Sequence, residues 1–203
     1  LRAWPFAPGE RPFRVKGRLF LGQRDFIRRE VPGGEAAVLD RLRPAARARY
    51  DEGYLDSGWY DVALIIELGM VCATLTGRSH QDYIHFRSAR QLERDMRGMY
   101  GFLAKLVTPS GAAVRMTRGI AMFVNFAEVR PRDRTATRLE LELEGIPRQL
   151  VFPWFREVLT GYAEGLTQHV RASELEATLE PLDVMGTKDG VDLLRALLIM
   201  DYR

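Results

Sequence analysis

Cysteine is almost absent from this sequence of 203 residues, since Cys72 is the single example. One cysteine excludes an intramolecular disulfide and any zinc site that depends on several thiolates. The lack of disulfides is typical of a reducing compartment, so we expect a cytoplasmic location. Cys72 lies in an apolar segment without a basic neighbour within one turn, which favours a core position over a reactive thiolate.

Long apolar runs are also lacking. The longest, Val62–Leu75, contains Glu67 and is too short to cross a bilayer, so we expect no membrane span. The first residues lack the charged and apolar regions of a signal peptide. There is no internal repeat or low-complexity linker, and 46% hydrophobic content is enough for one core. We therefore expect an extended arm at 1–13, followed by a single domain over 14–203.

Lysine is scarce, so arginine supplies nearly all of the 30 basic side chains, and the formal net charge is only +3. Such a bias can reflect phosphate binding by guanidinium groups or high-GC codon usage, and we favour the second. The densest basic run lacks interleaved aromatic residues, which favours a solvated helix face, and it consists of Arg41, Arg43, Arg47 and Arg49. We expect no nucleic-acid partner.

Familiar catalytic and metal-binding patterns are missing as well. The sequence has no G-x-S-x-G motif, phosphate-binding loop or dinucleotide fingerprint. His80 and His85 are five residues apart, which places them about 140° apart on a helix and on different faces. The remaining histidine, His169, is interpreted as stabilising the end of a later helix. We expect no catalytic residue, no metal site and no cofactor.

The first half of the sequence is predicted to be mainly helical. After a short strand at 14–21, helical segments are expected at 22–30 and 35–50, with Pro44 as a kink or break. Nearly continuous apolar residues at 58–76 predict a central helix that is buried on all sides.

A second long helix is predicted at about 81–107 from apolar residues at steps of three and four. Ser79 and Asp82 provide a start that is similar to a capping box. The charged positions from Arg87 onward are assigned to the opposite, solvated side of this helix.

In the second half the apolar period changes from helical to alternating. The clearest strand is RLELELE, in which three leucines occupy one face. Strands are predicted at 120–130, 138–144, 173–180 and 193–201, with a turn at 131–134 and a helix at 151–168. Gly161 and Gly165 share one face of that helix and predict a close helix-to-sheet approach. This ββαββ unit predicts an α+β fold, with an N-terminal helical layer packed on a twisted antiparallel four-stranded sheet.

Two groups of residues are candidates for binding. A ligand pocket between helices and sheet would be lined by Trp59, Tyr60, Cys72, Tyr100, Phe123 and Phe126. Aromatic side chains mostly build cores, so an ordinary core is the favoured alternative. A protein docking surface would consist of the sheet carboxylates Glu140, Glu142, Glu144, Glu174 and Glu176. A solvated sheet face is the alternative, and Arg138 can relieve repulsion among these charges.

Several stretches together resemble a myxobacterial family of domains of about 200 residues with unknown function. They are VKGRLF…RDFIRRE, GWYDVALIIEL, LTGRS…ARQLERDMRGMYGFLAKLVTPSGAAVRM and the late ββαββ unit. The architecture also resembles vinyl-reductase-like, haem-NO-binding-associated and TRAPP-component domains. That resemblance implies a helical layer on a twisted antiparallel sheet, frequent dimers, and a role as a small-ligand sensor or assembly subunit.

Two departures from these groups concern cofactors. Vinyl-reductase-like sensors carry cysteines that hold a metal near their C-terminal hairpin, whereas the matching EPLDVMGTKDGVDLL has none. Haem-binding relatives use a helical histidine with a Tyr-x-Ser-x-Arg motif, whereas Tyr83, Ser88 and Arg90 are spaced differently. The resemblance therefore supports neither a metal nor haem in this chain.

The sequence as a whole favours a cytoplasmic, non-enzymatic sensory or regulatory module. We expect a homodimer that binds a small apolar ligand or a protein partner. One alternative is a structural assembly subunit of TRAPP-like fold that acts through protein contacts. Another is an enzyme whose site is built from dispersed carboxylates and arginines.

Overall fold

A computed structural model describes residues 12–95, 119–149, 151–167 and 175–202. The first half contains β1 (Arg14–Lys16), α1 (Gly17–Glu30), α2 (Gly34–Leu39), α3 (Pro44–Asp51), β2 (Trp59–Asp61), α4 (Val62–Leu75) and α5 (His80–Asp95). The second half contains β3 (Glu128–Arg134), β4 (Arg138–Pro147), α6 (Val151–Thr167), β5 (Leu175–Lys188) and β6 (Val191–Tyr202). The predicted α+β class is confirmed, with helices in the first half and a ββαββ order in the second.

Local hydrogen bonds explain where the helices begin. The side chain of Asp61 accepts a hydrogen bond from Ala63 N at 2.9 Å and so caps α4. Ser79 Oγ accepts from Asp82 N at 3.1 Å and donates to the Asp82 carboxylate at 2.6 Å, which confirms the capping box before α5. Pro44 lies in the first turn of α3, so the chain breaks between α2 and α3 as predicted.

Several boundaries predicted from the sequence are wrong. The strand expected at 120–130 begins only at Glu128, and residues 119–123 are helical. The helix expected at 58–76 begins at Val62 after β2, and the strand expected at 173–180 continues to Lys188. The strand expected at 14–21 ends at Lys16, because the backbone at Gly17 turns into α1 and bonds to the Gly58 carbonyl. The turn expected at 131–134 is part of β3 instead. This edge strand accommodates Pro131 because its pairing with β4 shifts by one residue immediately afterwards.

The four-stranded sheet has the order β3-β4-β6-β5, and every neighbouring pair is antiparallel. Leu139, Leu141 and Leu143 of β4 are at most 1% exposed, so their face of the sheet is the inner one. β5 and β6 are joined by a tight turn in which Asp189 and Gly190 have φ angles of 52° and 78°. Two positive φ angles are typical of a type I′ hairpin turn.

The helix α6 packs on the inner face of the sheet and also packs against α5. The approach predicted for Gly161 and Gly165 therefore joins two helices and not a helix and a sheet. A Cβ atom at Gly161 would lie 2.4 Å from the His85 carbonyl oxygen, and one at Gly165 would lie 2.8 Å from the Ala89 carbonyl oxygen. The glycines allow the α5 and α6 backbones to approach closely.

A continuous buried cluster joins the helical half to the sheet. α4 supplies its centre, since Ile65, Ile66 and Cys72 are at most 1% exposed. Of the predicted arm, only the last two residues are described, and Phe13 packs in this cluster against Phe126. Among the described residues no single helix is long and apolar enough to cross a bilayer.

Candidate functional site

A stripe of polar side chains lies buried along α5. Tyr83, Arg87 and Gln91 recur every four residues and therefore share one helix face. They are 0%, 1% and 6% exposed. This face contacts α1, where Arg87 Nη2 donates to the Leu19 carbonyl at 3.1 Å and Gln91 packs against Gly22. We refer to these three residues as the α5 polar stripe.

The assignment of Arg87 to the solvated side of α5 is wrong. α5 lies between α1 and α6, so both of its flanks are buried. The charge of Arg87 alone does not reveal that a second helix covers its side of α5. The available signal is the four-residue spacing of Tyr83, Arg87 and Gln91, because a polar stripe at that spacing can face a neighbouring helix. Gly22 and Gly161 add to it, since each permits the close approach of a helix.

Tyr83 belongs to a buried hydrogen-bond network with α1 and α4. Gln23 Nε2 donates to Tyr83 Oη at 2.6 Å and lies 3.5 Å from Cys72 Sγ. Burial raises the pKa of the Cys72 thiol and also raises the pKa of the Tyr83 hydroxyl. Both groups are therefore neutral near pH 7, and the network works as a set of neutral donors and acceptors rather than as a reactive thiolate.

Arg87 is the exceptional member of the stripe. It is a buried guanidinium whose hydrogen bond in the described structure goes to a backbone carbonyl, and its Nε has no partner there. Ser88 Oγ, on the adjacent position, is also buried without a partner in the described structure. Buried cations are normally paired, because an unpaired one loses its hydration without compensation. These two unpartnered atoms therefore cost stability, and an added polar partner would be favourable here.

A cavity of about 240 Å³ adjoins the outer end of the stripe. It lies where α1 and α4 end and α5 begins, and it is lined by Phe26, Glu30, Pro32, Thr76, Arg78, Tyr83 and Phe86. Phe26 meets the rings of Tyr83 and Phe86 edge to face, at centroid distances of 5.9 and 6.1 Å. Three aromatic rings thus form its wall, and one of them belongs to the buried network.

The rim of this cavity carries both signs of charge. Glu30 and Arg78 are exposed, whereas Phe26 and Tyr83 are almost fully buried. The Arg78 guanidinium lies 4.3 Å from the centre of the Phe86 ring, which is a cation–π contact. The cavity is open to solvent, and it can accept a small apolar or aromatic group against Phe86 with a polar end near Arg78.

The structure places the residues of the sequence-predicted pocket in separate neighbourhoods. Tyr60 packs against Tyr54 and Phe20, and Phe126 packs against Phe13 and Phe155. Trp59 is 39% exposed beneath the ammonium of Lys16, and Phe123 is partly buried beside the core. Cys72 joins the Tyr83 network, and Tyr100 lies outside the described residues.

The outer face of the sheet, which points away from α6, is rich in carboxylates. Its residues alternate with the buried leucines of β4 or lie opposite one another in register. It carries nine acidic side chains, Glu128, Asp133, Glu140, Glu142, Glu144, Glu176, Glu180, Asp183 and Asp201. The three arginines on it are Arg130, Arg138 and Arg195. This outer face therefore has a net charge of −6, whereas the whole chain has +3.

Arginines neutralise part of this face. Arg138 bonds to Glu140 at 2.9 Å and to Asp201 at 3.1 Å, which is the relief predicted for it. Arg195 forms a two-pronged contact with Asp183, and Arg130 lies 3.5 Å from Glu144.

Three of the predicted docking carboxylates, Glu140, Glu142 and Glu144, thus share one strand face. Glu176 is on the same face two strands away, and Glu174 lies outside the described residues.

The two described histidines are both engaged in packing. His85 Nδ1 lies 3.2 Å from Thr160 Oγ1, and its Nε2 contacts the Glu164 carboxylate, so His85 ties α5 to α6. Burial lowers the pKa of His80. The Nε2 atom of His80 is enclosed against α4, where a Cβ at Gly69 would lie 3.2 Å from it. His169 lies outside the described residues.

Comparison with known proteins identifies the fold. No protein-family model matches the chain, and no curated protein matches it significantly. Among solved structures, an Fe(II) unliganded H-NOX protein from K. algicida has a TM-score of 0.58 at 14% identity, covering 93% of this chain and 97% of that chain. An oxygen-binding H-NOX domain related to soluble guanylate cyclases has a TM-score of 0.56 at 12% identity, covering 92% of each. A structure concerning haem redox potential and porphyrin distortion has a TM-score of 0.60 at 14% identity, covering 93% and 95%.

At these identities the likeness shows the fold alone, so the chain has an H-NOX-like α+β fold. The haem-NO-binding part of the resemblance is thereby supported at the level of fold. The resemblance to a myxobacterial family, and to vinyl-reductase-like and TRAPP-component domains, stays a prediction.

The names of these structures mention Fe(II) and haem. The described residues of this chain do not fit a haem iron. A haem ligand needs a side-chain donor with a clear path to the metal. In the described part of the chain, both ring nitrogens of His85 have polar contacts, and His80 Nε2 is enclosed by α4. Cys72 is a neutral buried thiol. None of these three lines the cavity.

Proposed function

We propose that this domain is a non-enzymatic sensory binding module that takes a small, largely apolar ligand in the α1–α4–α5 cavity without haem. One observation carries the proposal: Tyr83 forms part of the cavity wall and is also hydrogen-bonded into the core. Tyr83 is 0% exposed, so a ligand would reach this ring, and through it the buried network, by a local rearrangement of the lining. The H-NOX-like fold supports a sensory role, since such folds occur in proteins whose names record Fe(II) and oxygen binding.

The size and lining of the cavity limit its ligand. Its volume of about 240 Å³ is below the roughly 300–1,000 Å³ of pockets for drug-sized molecules. The aromatic wall favours a single ring or a short apolar chain. Arg78 at the rim favours a ligand with an anionic or hydrogen-bond-accepting end over a purely apolar one. Catalysis is not proposed, because this lining combines one carboxylate and one guanidinium with no nucleophile–base pair.

A panel of small aromatic probes tests the cavity. We expect phenol, indole or benzoate to raise the melting temperature of the purified protein, since a ligand that binds only the folded state stabilises it. Phe86→Ala should weaken all binding by isothermal titration, because it removes one wall. Arg78→Ala should weaken benzoate more than phenol, because it removes only the cation. Arg148→Ala, an exposed arginine outside the cavity lining, is the matched control. Failure of every probe to bind, or binding unaffected by Phe86→Ala, contradicts the proposed site.

The labelling rate of Cys72, the single thiol in the sequence, reports the coupling between the cavity and the core. We expect a bound probe to slow native-state labelling of Cys72 by a disulfide reagent, because labelling needs local opening around Tyr83 and Gln23. Tyr83→Phe removes the hydroxyl and should cost about 1 kcal/mol of stability. In this variant Cys72 should be labelled faster, and a bound probe should no longer slow the labelling by much.

Tyr50→Phe is the matched control for this experiment. It also removes a hydroxyl with a 2.6 Å hydrogen bond, in this case to Glu35, but it lies outside the network. Its stability should fall by a similar amount while the probe's protection of Cys72 is retained. Equal loss of protection in both variants would show that global stability, and not the network, governs the thiol.

A further inference from the structure

The outer face of the sheet has an apolar centre as well as its charge. Leu197 and Ile199 of β6 lie in the middle of this face, where Ile199 is partly exposed and Leu197 is only 9% exposed. Leu197 has Glu142 on one side and Glu180 on the other. In the described structure, neither of these two carboxylates has a salt bridge, unlike Glu140 and Glu144. Glu142 lies opposite Arg130 in register and interacts electrostatically with Arg195, so its charge is partly offset. An apolar centre bordered by carboxylates matches a surface that presents small apolar groups between cations.

The same face of a second copy does not match it. Two such faces would bring net charges of −6 together, and like charges placed opposite one another destabilise an interface. A symmetric dimer through this face is therefore disfavoured, and the occupant must be cationic.

The chain itself carries a surface of the required kind. Because the whole chain has a net charge of +3, the part outside the outer sheet face has +9. Residues 14–51 alone contain ten basic and five acidic side chains. Within them, α3 exposes Ala45 and Ala48 between Arg47 and Arg49, and Arg41 is exposed just before this helix.

Two cations of this surface are available for new contacts. Arg43 and Arg49 form salt bridges with Glu67 and Glu52. In the described structure, Arg41 has one long contact, 3.5 Å to the Ala37 carbonyl, and neither Arg41 nor Arg47 pairs with a carboxylate. The side chains of Ala45 and Ala48 are short, so α3 can lie flat on a sheet at this surface.

We propose that the outer sheet face of one molecule binds the α3 surface of a second copy, head to tail. The alanines of α3 would pack over the centre of this face, mainly on the partly exposed Ile199, and Arg41 and Arg47 would meet Glu142 and Glu180. Because the two surfaces differ, each molecule keeps one of them free, and association continues into open chains or closes into a ring. This inference is independent of the cavity and of its ligand.

Sedimentation or light scattering at two salt concentrations tests the association. The average mass should exceed the 23.2 kDa of one chain at low salt and should rise with protein concentration. It should return to one chain at about 1 M salt, since the Debye length falls from roughly 30 Å at 0.01 M to about 3 Å. A monomer at low salt, or association that salt does not weaken, overturns the proposal.

Two neutralising double variants identify the surfaces. Glu142→Gln with Glu180→Gln removes the acidic half of the contact, and Arg41→Gln with Arg47→Gln removes the basic half. Each variant alone should weaken association at least about tenfold, or 1.4 kcal/mol. Mixed together, they should form one-to-one pairs that grow no further, because each supplies the surface that the other lacks.

Asp56→Asn with Asp189→Asn is the control, since it removes two charges from exposed positions outside both surfaces. It should associate like the unmodified protein, and all variants should melt at similar temperatures. Association that survives either neutralising pair, or a mixture that stays monomeric, overturns the assignment of the two surfaces.

Discussion

Replacing Arg87 with methionine is expected to stabilise the folded protein by about 1–4 kcal/mol, the range seen when buried charges give way to apolar side chains. Arg87 is 1% exposed, and its Nε has no partner in the described structure. Its acceptor, the Leu19 carbonyl, lies inside α1 and keeps its helical bond to Gln23 N when the arginine is removed. Methionine has a similar length, so it fills the space without the cost of a charge.

Chemical denaturation of three variants checks this expectation. Arg87→Met should unfold at higher denaturant than the unmodified protein. Arg87→Lys should unfold at lower denaturant, since it retains the charge but loses the planar fork that reaches Leu19. Arg87→Ala should be less stable than Arg87→Met, because it leaves a cavity. A methionine variant less stable than the unmodified protein would show that Arg87 has a strong polar partner in solution.

Gly161→Val is expected to destabilise the protein by about 3 kcal/mol or more, at the upper end of the cost of overpacking a core. Even one added carbon at Gly161 would lie 2.4 Å from the His85 carbonyl oxygen and 3.1 Å from its carbon. Those atoms belong to the backbone of α5, so relief requires a shift of the whole helix. The same shift would disturb Tyr83 and Arg87, and the variant should therefore lose probe binding as well.

Gly119→Ala provides the matched comparison. Residue 119 is also helical, but an added Cβ there has no atom of the described residues within 4 Å. Its stability should be unchanged or higher by up to about 1 kcal/mol, because alanine is the better helix former. Thermal melts of the two variants separate backbone contact from helix propensity. A Gly161→Val variant as stable as Gly119→Ala would show that α5 and α6 are not in close contact.

Periodicity and capping were sufficient to predict most of the fold. The alternation of Leu139, Leu141 and Leu143 identified β4 because only one face of that strand is buried. Ser79 and Asp82 identified the start of α5 because their hydrogen bonds involve residues three apart. Such signals are local, so they can be read without knowing what packs against them. The pairings β3–β4 and β5–β6 follow from short connections, whereas the pairing of β4 with β6, on either side of α6 and β5 in the sequence, does not.

The candidate site was not predictable in the same way. Tyr83, Gln23 and Cys72 come from three helices, and no pattern along the chain relates them. Charge normally indicates exposure, so the sequence predicts a solvent-facing Arg87, whereas α5 is covered on two sides. The outer sheet face was easier to predict, since Glu140, Glu142 and Glu144 follow from the strand period. Sequence thus identified the surface better than the interior.

The most direct test of the proposed ligand site is a ¹H–¹⁵N spectrum of the labelled protein, titrated with phenol, indole and benzoate. We expect saturable chemical-shift changes in the amides of Phe26, Thr76, Arg78, Tyr83 and Phe86. Smaller shifts should appear at Gln23 and Cys72, because Tyr83 connects them to the cavity. Shifts that instead centre on Trp59, Tyr60 and Phe126, or spectra that no probe changes, would contradict the proposed site.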